Sequence, residues 1–273
     1  MQNDLKTKVI PNGGIMKEKK NVFDFAAQVG LTKQLGGLKT TDELIALCYI
    51  DSSCEVLDVG CGVGVTPCYL AKKIGCTVVG VDILDGMIEW SKKQAERQGV
   101  TNRTTFRVAD AQELPFEDNR FDAVITESVT SLMKDQPKAL QEYVRVTKPG
   151  GHVGMNESTW LKSSPPPEVV AWWSVEYGGT PQFHTAEDWV RLMKSAGLKQ
   201  VTDKTYNISF SSGFTDLVNR YGLWEMLKVY GRMFSLYRRS PEYREFLGNV
   251  KESGRMPEGT MEYFGYGIYV GQK

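Results

Sequence analysis

The sequence predicts an α/β fold built on a largely parallel sheet, and three observations support this prediction. Short runs rich in β-branched residues alternate with amphipathic helical stretches over residues 54–158. A glycine-rich loop at residues 60–64 lies between the first of these runs and the helix that follows it. Acidic residues stand at the ends of three runs, at Asp58, Asp82 and Asp110. The carboxyl ends of such strands share one edge of the sheet, where we expect the ligands to bind.

The predicted elements follow one another as strand and helix. The strands are EVLDVG, CTVVGVD, TTFRVAD, FDAVITES and HVGMNES, and the helices are GVTPCYLAKKIG, DGMIEWSKKQAERQG and PKALQEYVRVT. Gly99 is a plausible C-cap of the second helix, and the Lys-Pro-Gly-Gly sequence at 148–151 stops the third. Later in the chain, Thr185 caps the helix TAEDWVRLMKSAG, the strand LKQVTDKTYNISF follows, and MEYFGYGIYVGQK is typical of a final strand.

Two parts of the chain lie outside this alternation. Residues 1–50 are predicted to form an N-terminal helical or lid segment, with two short helices around a break at Gly36-Gly37 and Thr41 as an N-cap. Residues 51–273 are predicted to form one domain that carries two cap insertions, at about 159–184 and at about 211–256, the second of them largely helical.

The first insertion is rich in proline, glycine and aromatic residues. Because three consecutive prolines exclude a regular strand or one long helix, the segment is predicted to be a loop or cap. Its aromatic residues are interpreted as a pocket lid, since aromatic walls are typical of small-ligand sites: Trp160, Trp172, Trp173, Tyr177 and Phe183. The alternative is a loop that its own aromatic residues anchor on the sheet.

The composition argues against several classes of protein. Lys plus Arg and Asp plus Glu both number 33, so bulk attraction to nucleic acid is absent and no nucleic-acid partner is expected. No apolar run is long enough to span a membrane and no secretory signal is apparent, so a cytoplasmic location is expected. The five cysteines lack metal-site spacing and are interpreted as reduced core residues, with no metal expected.

The glycine loop indicates the kind of ligand. Its sequence is Gly60-Cys61-Gly62-Val63-Gly64, whereas a dinucleotide-binding loop has its third glycine where this chain has Val65. A carboxylate at Asp58 is unfavourable beside a pyrophosphate and favourable beside a cationic ligand. Asp82, at the end of the second strand, can accept hydrogen bonds from the hydroxyls of a ribose. A dinucleotide and a cationic nucleoside both carry a ribose, so Asp82 does not distinguish between them.

With these residues the chain resembles the class I S-adenosylmethionine (SAM)-dependent methyltransferases, in particular small-molecule enzymes of the ubiquinone/menaquinone and sterol type. The resemblance covers about residues 54–158, through VLDVGCGVG, VVGVD, ADAQELPFEDNRFDAVITES and TKPGG in that order. It implies a Rossmann-like sheet of seven strands in the order 3-2-1-4-5-7-6, with an antiparallel last strand and helices on both faces. The long helical segment before the last strand departs from the family pattern.

The resemblance also implies roles for individual residues. The methionine part of SAM would lie against Asp58 and the loop residues Gly60, Cys61, Gly62 and Gly64. Asp82 would hold the ribose, Ile83 and Met87 would pack on the adenine, and Asp110 and Ala111 would contact the adenine edge. Glu127 and Ser128 would face the methyl group and the acceptor. Two alternatives stay open: Asp110 as the cap of a turn, and Glu127 as a residue that only orders its loop.

The implied function is methyl transfer from SAM to a small molecule, with S-adenosyl-L-homocysteine as the product. Alignment and exclusion of water would carry most of the rate, and a general base is needed only where the acceptor loses a proton. Glu127 and His184 are the candidate bases, whereas His152 is interpreted as structural. The alternatives are methylation of a protein side chain or RNA, a non-catalytic SAM-binding module, and, with least support, an NAD-dependent dehydrogenase.

Overall fold

The computed structural model describes residues 20–32, 34–177, 181–208 and 221–273. Its helices are α1 (Val22–Val29), α2 (Gly37–Leu47), α3 (Val65–Lys73), α4 (Asp85–Gln98), α5 (Gln136–Val146), α6 (Pro167–Tyr177), α7 (Ala186–Ser195), α8 (Leu223–Arg239), α9 (Pro241–Glu252) and α10 (Thr260–Tyr263). Its strands are β1 (Glu55–Val59), β2 (Thr77–Asp82), β3 (Thr104–Val108), β4 (Phe121–Glu127), β5 (Thr147–Trp160), β6 (His184–Thr185), β7 (Lys199–Asn207) and β8 (Phe264–Gln272).

The strands form one mixed sheet in the order β3-β2-β1-β4-β5-β8-β7. Strands β1 to β5 pair in parallel, and β8 is antiparallel to both β5 and β7. The predicted strand order and the antiparallel last strand are therefore confirmed, with β7 and β8 as the sixth and seventh strands of the prediction. Because β1, β2 and β4 are parallel members of one sheet, their carboxyl ends meet at one edge.

The sheet differs from the prediction in its eighth strand, β6. Strand β5 is 14 residues long, and its pairing with β4 ends at Asn156. Thr159 and Trp160 therefore extend beyond β4, and β6 pairs with them in parallel. The last strand is also shorter than predicted, because the first part of MEYFGYGIYVGQK forms helix α10.

Hydrophobic packing covers both faces of the sheet. Successive residues of a strand point to opposite faces, so in β1 Val56 packs beneath α2 and α3 while Leu57 packs beneath α5 and α7. The thiols are free, as expected, and all but Cys54 are buried, in agreement with a packing role. Burial raises the pKa of Cys48 to about 12, so this thiol stays protonated at neutral pH.

The N-terminal helices pack on two different parts of the molecule. Helix α1 shares a small apolar cluster with α8 and α9, built from Phe25, Val29, Leu236 and Tyr243. Helix α2 begins at Gly37, so the prediction that Thr41 is its N-cap is wrong, and Thr41 lies buried inside the helix. The boundary at residue 50 and the insertion limits stay predictions; residues 1–19, 178–180 and 209–220, which belong to these segments, lie outside the described residues.

The connection after β5 contains a regular helix, α6, which the sequence analysis did not predict. The run of prolines ends at Pro167, the first residue of α6, where a missing backbone N–H carries no penalty. Within the described ranges, the helices are all too short or too polar to cross a bilayer.

Candidate active site

A cavity of about 470 Å³ opens at the carboxyl ends of β1, β2 and β4, a volume typical of sites for small ligands. It brings together all the predicted cofactor-binding residues except Gly64: Asp58, Gly60, Cys61, Gly62, Asp82, Ile83, Met87, Asp110, Ala111 and Glu127. Further walls come from residues that the sequence analysis did not single out: Asn21, Phe23, Thr32, Gln34, Thr66, Val129, Leu132 and Met133. Ser128 also lines the cavity.

The glycine loop is held by its backbone and by its neighbours. The N–H groups of Gly60 and Cys61 both donate to the carbonyl of Val81, at 2.8 and 2.9 Å. Gly60 and Gly62 adopt φ values of +74° and +54°, which other residues rarely adopt. A Cβ at Gly60 would also overlap the Val129 methyl groups. Contacts inside the protein thus require glycine here, in addition to any approach of a ligand.

Gly64 has a structural position that differs from the predicted one. It precedes α3 with φ +80°, and a Cβ there would lie 2.9 Å from the Ser91 Cα of α4. Gly64 is not among the residues that line the cavity. It allows α3 and α4 to pack closely and turns the chain into α3, so its predicted contact with a cofactor is not supported.

Asp58 is a buried carboxylate at the floor of the cavity, with 3% of its surface exposed. Within residues 20–32, 34–177, 181–208 and 221–273, its carboxylate receives no hydrogen bond. Burial raises its pKa well above the usual range, and the nearby charges of Glu127 and Asp82 raise it further. An ionised carboxylate in this position is unfavourable by itself and favourable beside a cation.

Asp82 connects the glycine loop to the end of β2. One carboxylate oxygen accepts a hydrogen bond from the Gly62 N–H, and the other accepts one from the Leu84 N–H, each at 3.0 Å. Burial raises the pKa of Asp82, although these N–H groups favour its ionised form. Asp82 lines the cavity, and a carboxylate with two donors keeps further lone pairs that can accept hydrogen bonds from hydroxyl groups.

The opposite wall combines apolar and polar residues. Ile83 is 64% exposed, and Met87, which is buried, lines the same cavity. Asp110 accepts a hydrogen bond from the Gln112 N–H at 2.8 Å, so it caps a turn, the alternative left open above. It also lines the cavity, so the turn holds this carboxylate at the ligand site. The exposed face of Ile83 is available to a flat apolar group.

Glu127 receives hydrogen bonds from three polar side chains that are distant in sequence. The Thr66 hydroxyl donates at 2.8 Å, the Gln34 amide at 2.9 Å and the Thr41 hydroxyl at 3.1 Å. Thr66 lies in the first turn of α3, whereas Gln34 and Thr41 come from the N-terminal segment. Glu127 therefore fixes that segment at the cavity, and the Thr41 hydroxyl serves this contact instead of capping α2.

The loop after β4 is held by a second buried acid, Glu157. Its carboxylate accepts hydrogen bonds from the backbone N–H groups of Thr130 at 2.7 Å and of Val129 and Ser131 at 3.2 Å. Burial raises the pKa of Glu157, and the three donors oppose this effect. Since Val129 lines the cavity and packs on Gly60, Glu157 positions one wall of the site without lining it.

The structure does not bring His184 into this constellation. It lies in β6, where its Nε2 hydrogen-bonds with the Gln136 side chain and its ring packs edge-on against Trp189 at 4.7 Å between centroids. Burial lowers its pKa. Its position outside the lining of the cavity does not support its predicted role as a base. His152, interpreted as structural, packs against the Tyr49 ring at the start of β5.

The aromatic residues of the first insertion likewise do not line the cavity, so their interpretation as walls of the pocket is not supported. Trp160, Trp173, Tyr177 and Phe183 pack against one another, and all but Tyr177 also pack on Phe264 at the start of β8. Helix α6 supplies two of these rings, and its packing accounts for them. The arrangement corresponds to the alternative of a segment anchored by its own aromatic residues.

Sequence reasoning missed the contributions of Gln34, Thr66 and Glu157. The position of Thr66 carries a usable signal, because the first turn of the helix after a glycine loop faces the ligand edge. Gln34 and Glu157 carry none, since their partners lie far away in sequence. Among the described residues, no group of three or more His, Cys, Asp and Glu side chains is placed to hold a metal ion.

Residues 57–155 match a protein family described as a methyltransferase domain. Methyltransferase GfsG of Streptomyces halstedii is 33% identical over 119 residues, which cover 44% of this chain and 43% of that protein. The chain spans about half the length of the curated relatives it matches.

Two solved structures show the extent of the shared fold. The [4+2]-cyclase SpnF aligns with a TM-score of 0.66 and 22% identity, covering 86% of this chain and 80% of the cyclase. Phosphoethanolamine N-methyltransferase 2 of Haemonchus contortus, in complex with phosphomonomethylethanolamine and S-adenosylhomocysteine, aligns with a TM-score of 0.66 and 18% identity, covering 92% of this chain and 57% of that protein. At these identities the alignments establish the fold.

Proposed function

We propose that this chain, whose residues 57–155 match a methyltransferase-domain family, is a class I SAM-dependent enzyme that transfers a methyl group from SAM to a small molecule. The observation that carries the proposal is the buried Asp58 carboxylate, to which no donor in the described part of the chain hydrogen-bonds. SAM carries an ammonium and a sulfonium group, and either charge would compensate this carboxylate.

The residues around the cavity fit the rest of the cofactor. Asp82 would accept hydrogen bonds from the ribose hydroxyls, and the 64% exposed face of Ile83 would be covered by the adenine. Met87 would pack on the same ring, and Asp110 and Ala111 would contact its edge. The wall combines acidic and apolar surfaces, a pattern that suits a cationic nucleoside and disfavours a pyrophosphate.

SAM supplies a methyl group on a positively charged sulfur, which departs as a neutral thioether. The residues of this chain would align the acceptor and exclude water, which suffices for an acceptor that needs no deprotonation. Glu127 would contribute negative charge at the cavity, and its hydrogen bonds would hold Gln34 at the cavity wall and fix Thr41 of α2. Among the described residues it already accepts hydrogen bonds from Thr66, Gln34 and Thr41, so we assign it a positioning role in preference to that of a base.

An acceptor with an apolar part fits the remaining walls. Phe23, Val129, Leu132 and Met133 line the cavity together with the polar residues Asn21 and Ser128. The name of one relative, a methyltransferase of Streptomyces halstedii, supports methyl transfer in general. Methylation of a protein side chain or RNA remains the alternative in the same reaction class, and a SAM-binding module without transfer is the alternative outside it. The shared fold of a cyclase makes the second alternative worth a direct test.

The decisive experiment is calorimetric titration of the protein with SAM, S-adenosylhomocysteine and NAD in parallel. We expect saturable binding of the first two and none of NAD. The protein is then incubated with SAM and a panel of small acceptors, and S-adenosylhomocysteine release is measured. Binding of NAD alone would overturn the proposal, whereas SAM binding without turnover on small molecules, proteins or RNA would support the non-catalytic module.

Replacement of Glu127 by Ala is expected to weaken SAM binding by about tenfold, because it removes the acceptor of three hydrogen bonds and one negative charge from the cavity. Limited proteolysis between residues 20 and 36 should become faster, since Gln34 and Thr41 lose their partner. The matched control is Glu55→Ala, in which a partly exposed acid at the start of β1 loses its Arg120 ion pair. Equal cleavage and affinity in both variants would contradict the positioning role.

A further inference from the structure

Helix α8 presents an apolar face to solvent. Its exposed apolar residues recur at intervals of three and four, with Trp224 beside this stripe: Leu223, Leu227, Tyr230, Phe234 and Tyr237. Trp224 is 78% exposed and Phe234 is 64% exposed. The spacing places the five stripe residues on one side of the helix. An exposed aromatic stripe of this length is unusual on a soluble surface and marks an interaction site.

The fold does not need this outer face. Helix α8 is attached through its opposite side, where Met226, Val229 and Leu236 are buried. Leu236 belongs to the apolar cluster that α8 shares with α1 and α9. The inner side is further fixed by Arg232, whose guanidinium donates to the Val29 carbonyl. The aromatic residues on the outer face do not belong to this apolar cluster.

The charged residues of α8 also differ between its inner side and its exposed side. The helix contains one acidic residue, Glu225, whose side chain is 14% exposed and forms ion pairs with Arg97, Lys228 and Arg232. The last turn carries the exposed residues Arg238 and Arg239 and no acid. Arg244 of α9 adds a further cation at the end of α8, where it donates to the Tyr237 and Arg238 carbonyls.

We propose that the outer face of α8 binds an anionic lipid surface, with its aromatic rings at the boundary between headgroups and acyl chains. Trp, Tyr, Phe and Leu beside Lys and Arg are the composition of helices that lie in this boundary. The basic residues complement anionic headgroups. The one acid of α8, Glu225, is already paired inside the chain, so the α8 face of a second copy would offer these cations no acidic partner. Helix α8 has 17 residues and is too short and too charged to cross a bilayer. We therefore expect it to lie in the plane of the lipid surface.

The position of α8 connects this surface to the cavity. Helix α8 packs against α1, and Phe23 of α1 lines the cavity. A lipid surface bound by α8 would therefore lie one helix away from the cavity wall. The binding itself is independent of methyl transfer, so its failure would leave the proposed function untouched.

The test is co-sedimentation of the full chain with phosphatidylcholine vesicles and with vesicles of three parts phosphatidylcholine to one part phosphatidylglycerol. We expect binding to the second composition only. The double variant Trp224→Ser/Phe234→Ser should weaken it by at least about 30-fold, because two aromatic side chains no longer leave water. Arg238→Glu/Arg239→Glu should weaken it by at least about 30-fold, and salt should weaken the binding of the unmodified protein.

The matched control is Tyr49→Ser, which removes a 76% exposed aromatic ring from the opposite edge of the sheet. It should bind vesicles like the unmodified protein, and all variants should keep the same SAM affinity, which shows that they are folded. Absence of binding to the anionic vesicles would overturn the proposal. So would self-association in sedimentation analysis that the Trp224→Ser/Phe234→Ser variant abolishes, because the face would then join two copies of the chain.

Discussion

Replacing Asp58 by Asn is expected to stabilise the unliganded protein at neutral pH and to remove most of its affinity for SAM. Burial, with the charges of Glu127 and Asp82, raises the pKa of Asp58 well above the usual range. Such a group stabilises the fold only while it is protonated. Its contribution is present below the unfolded pKa of about 3.9 and is lost as the pH rises through the folded pKa.

The Asp58→Asn side chain carries no charge at any pH, so the variant avoids this loss. At pH 7 we expect a gain of about 1 kcal/mol or more in the free energy of unfolding, which corresponds to roughly 2 °C in Tm. The gain should shrink as the pH falls towards 4. SAM should bind about 100-fold more weakly, because a charge-assisted hydrogen bond contributes about 1.5–3 kcal/mol. Thermal melts over a pH series and calorimetric titration measure the two effects.

Asp122→Asn is the matched control, because this carboxylate has the opposite environment. Its pKa is lowered despite burial, since Lys148 and the Glu55 N–H donate to it. It lies at the start of β4, away from the cavity, so its replacement should destabilise the protein at neutral pH and leave SAM binding unchanged. A loss of stability in Asp58→Asn, or full SAM affinity in that variant, would refute the assignment of a cation-binding carboxylate.

Replacing Glu157 by Ala is expected to give the largest loss of stability, about 3–5 kcal/mol in the free energy of unfolding. The substitution leaves the backbone N–H groups of Val129, Thr130 and Ser131 without their acceptor inside the protein. Each unpaired buried donor costs about 1–3 kcal/mol. Urea denaturation measures the change, and the loop after β4 should also become more accessible to hydrogen exchange.

Two further variants separate this effect from the loss of a side chain. Glu157→Gln keeps one carbonyl oxygen as an acceptor and should lose only about 1–2 kcal/mol. Glu168→Ala removes an exposed acid from the first turn of α6 and should change stability by no more than about 0.5 kcal/mol. A loss below about 1 kcal/mol in Glu157→Ala would show that other groups hold the loop.

The central sheet could be predicted because its signals are local. The β-branched runs around Val56 and Val78 and the glycines of the loop specify their own conformations. The right-handed chirality of the crossover connections then limits the order in which the strands can pair. Where the prediction failed, a tertiary contact determined the local structure. Thr41 is a good N-cap by residue type, but its hydroxyl binds Glu127 inside a helix that begins four residues earlier.

The residues of the site also fall into a predictable group and an unpredictable group. Asp58, Asp82 and Asp110 stand at strand ends, so the topology alone brings them to one edge and into one cavity. Gln34 and Glu157 depend on contacts across 93 and 27 residues of chain, which no periodicity records. The aromatic residues of the first insertion misled because their composition is that of a pocket wall, whereas the helix α6 turns them towards Phe264.

The packing of Val129 beside Gly60 has a thermodynamic consequence. These two residues belong to loops after different strands, yet they line the same cavity in mutual contact. A ligand that shifts the loop after β4 must therefore change the free energy of a ligand bound at the glycine loop. Thermodynamic linkage makes this coupling reciprocal. If the acceptor changes the affinity for SAM by a given factor, SAM changes the affinity for the acceptor by the same factor.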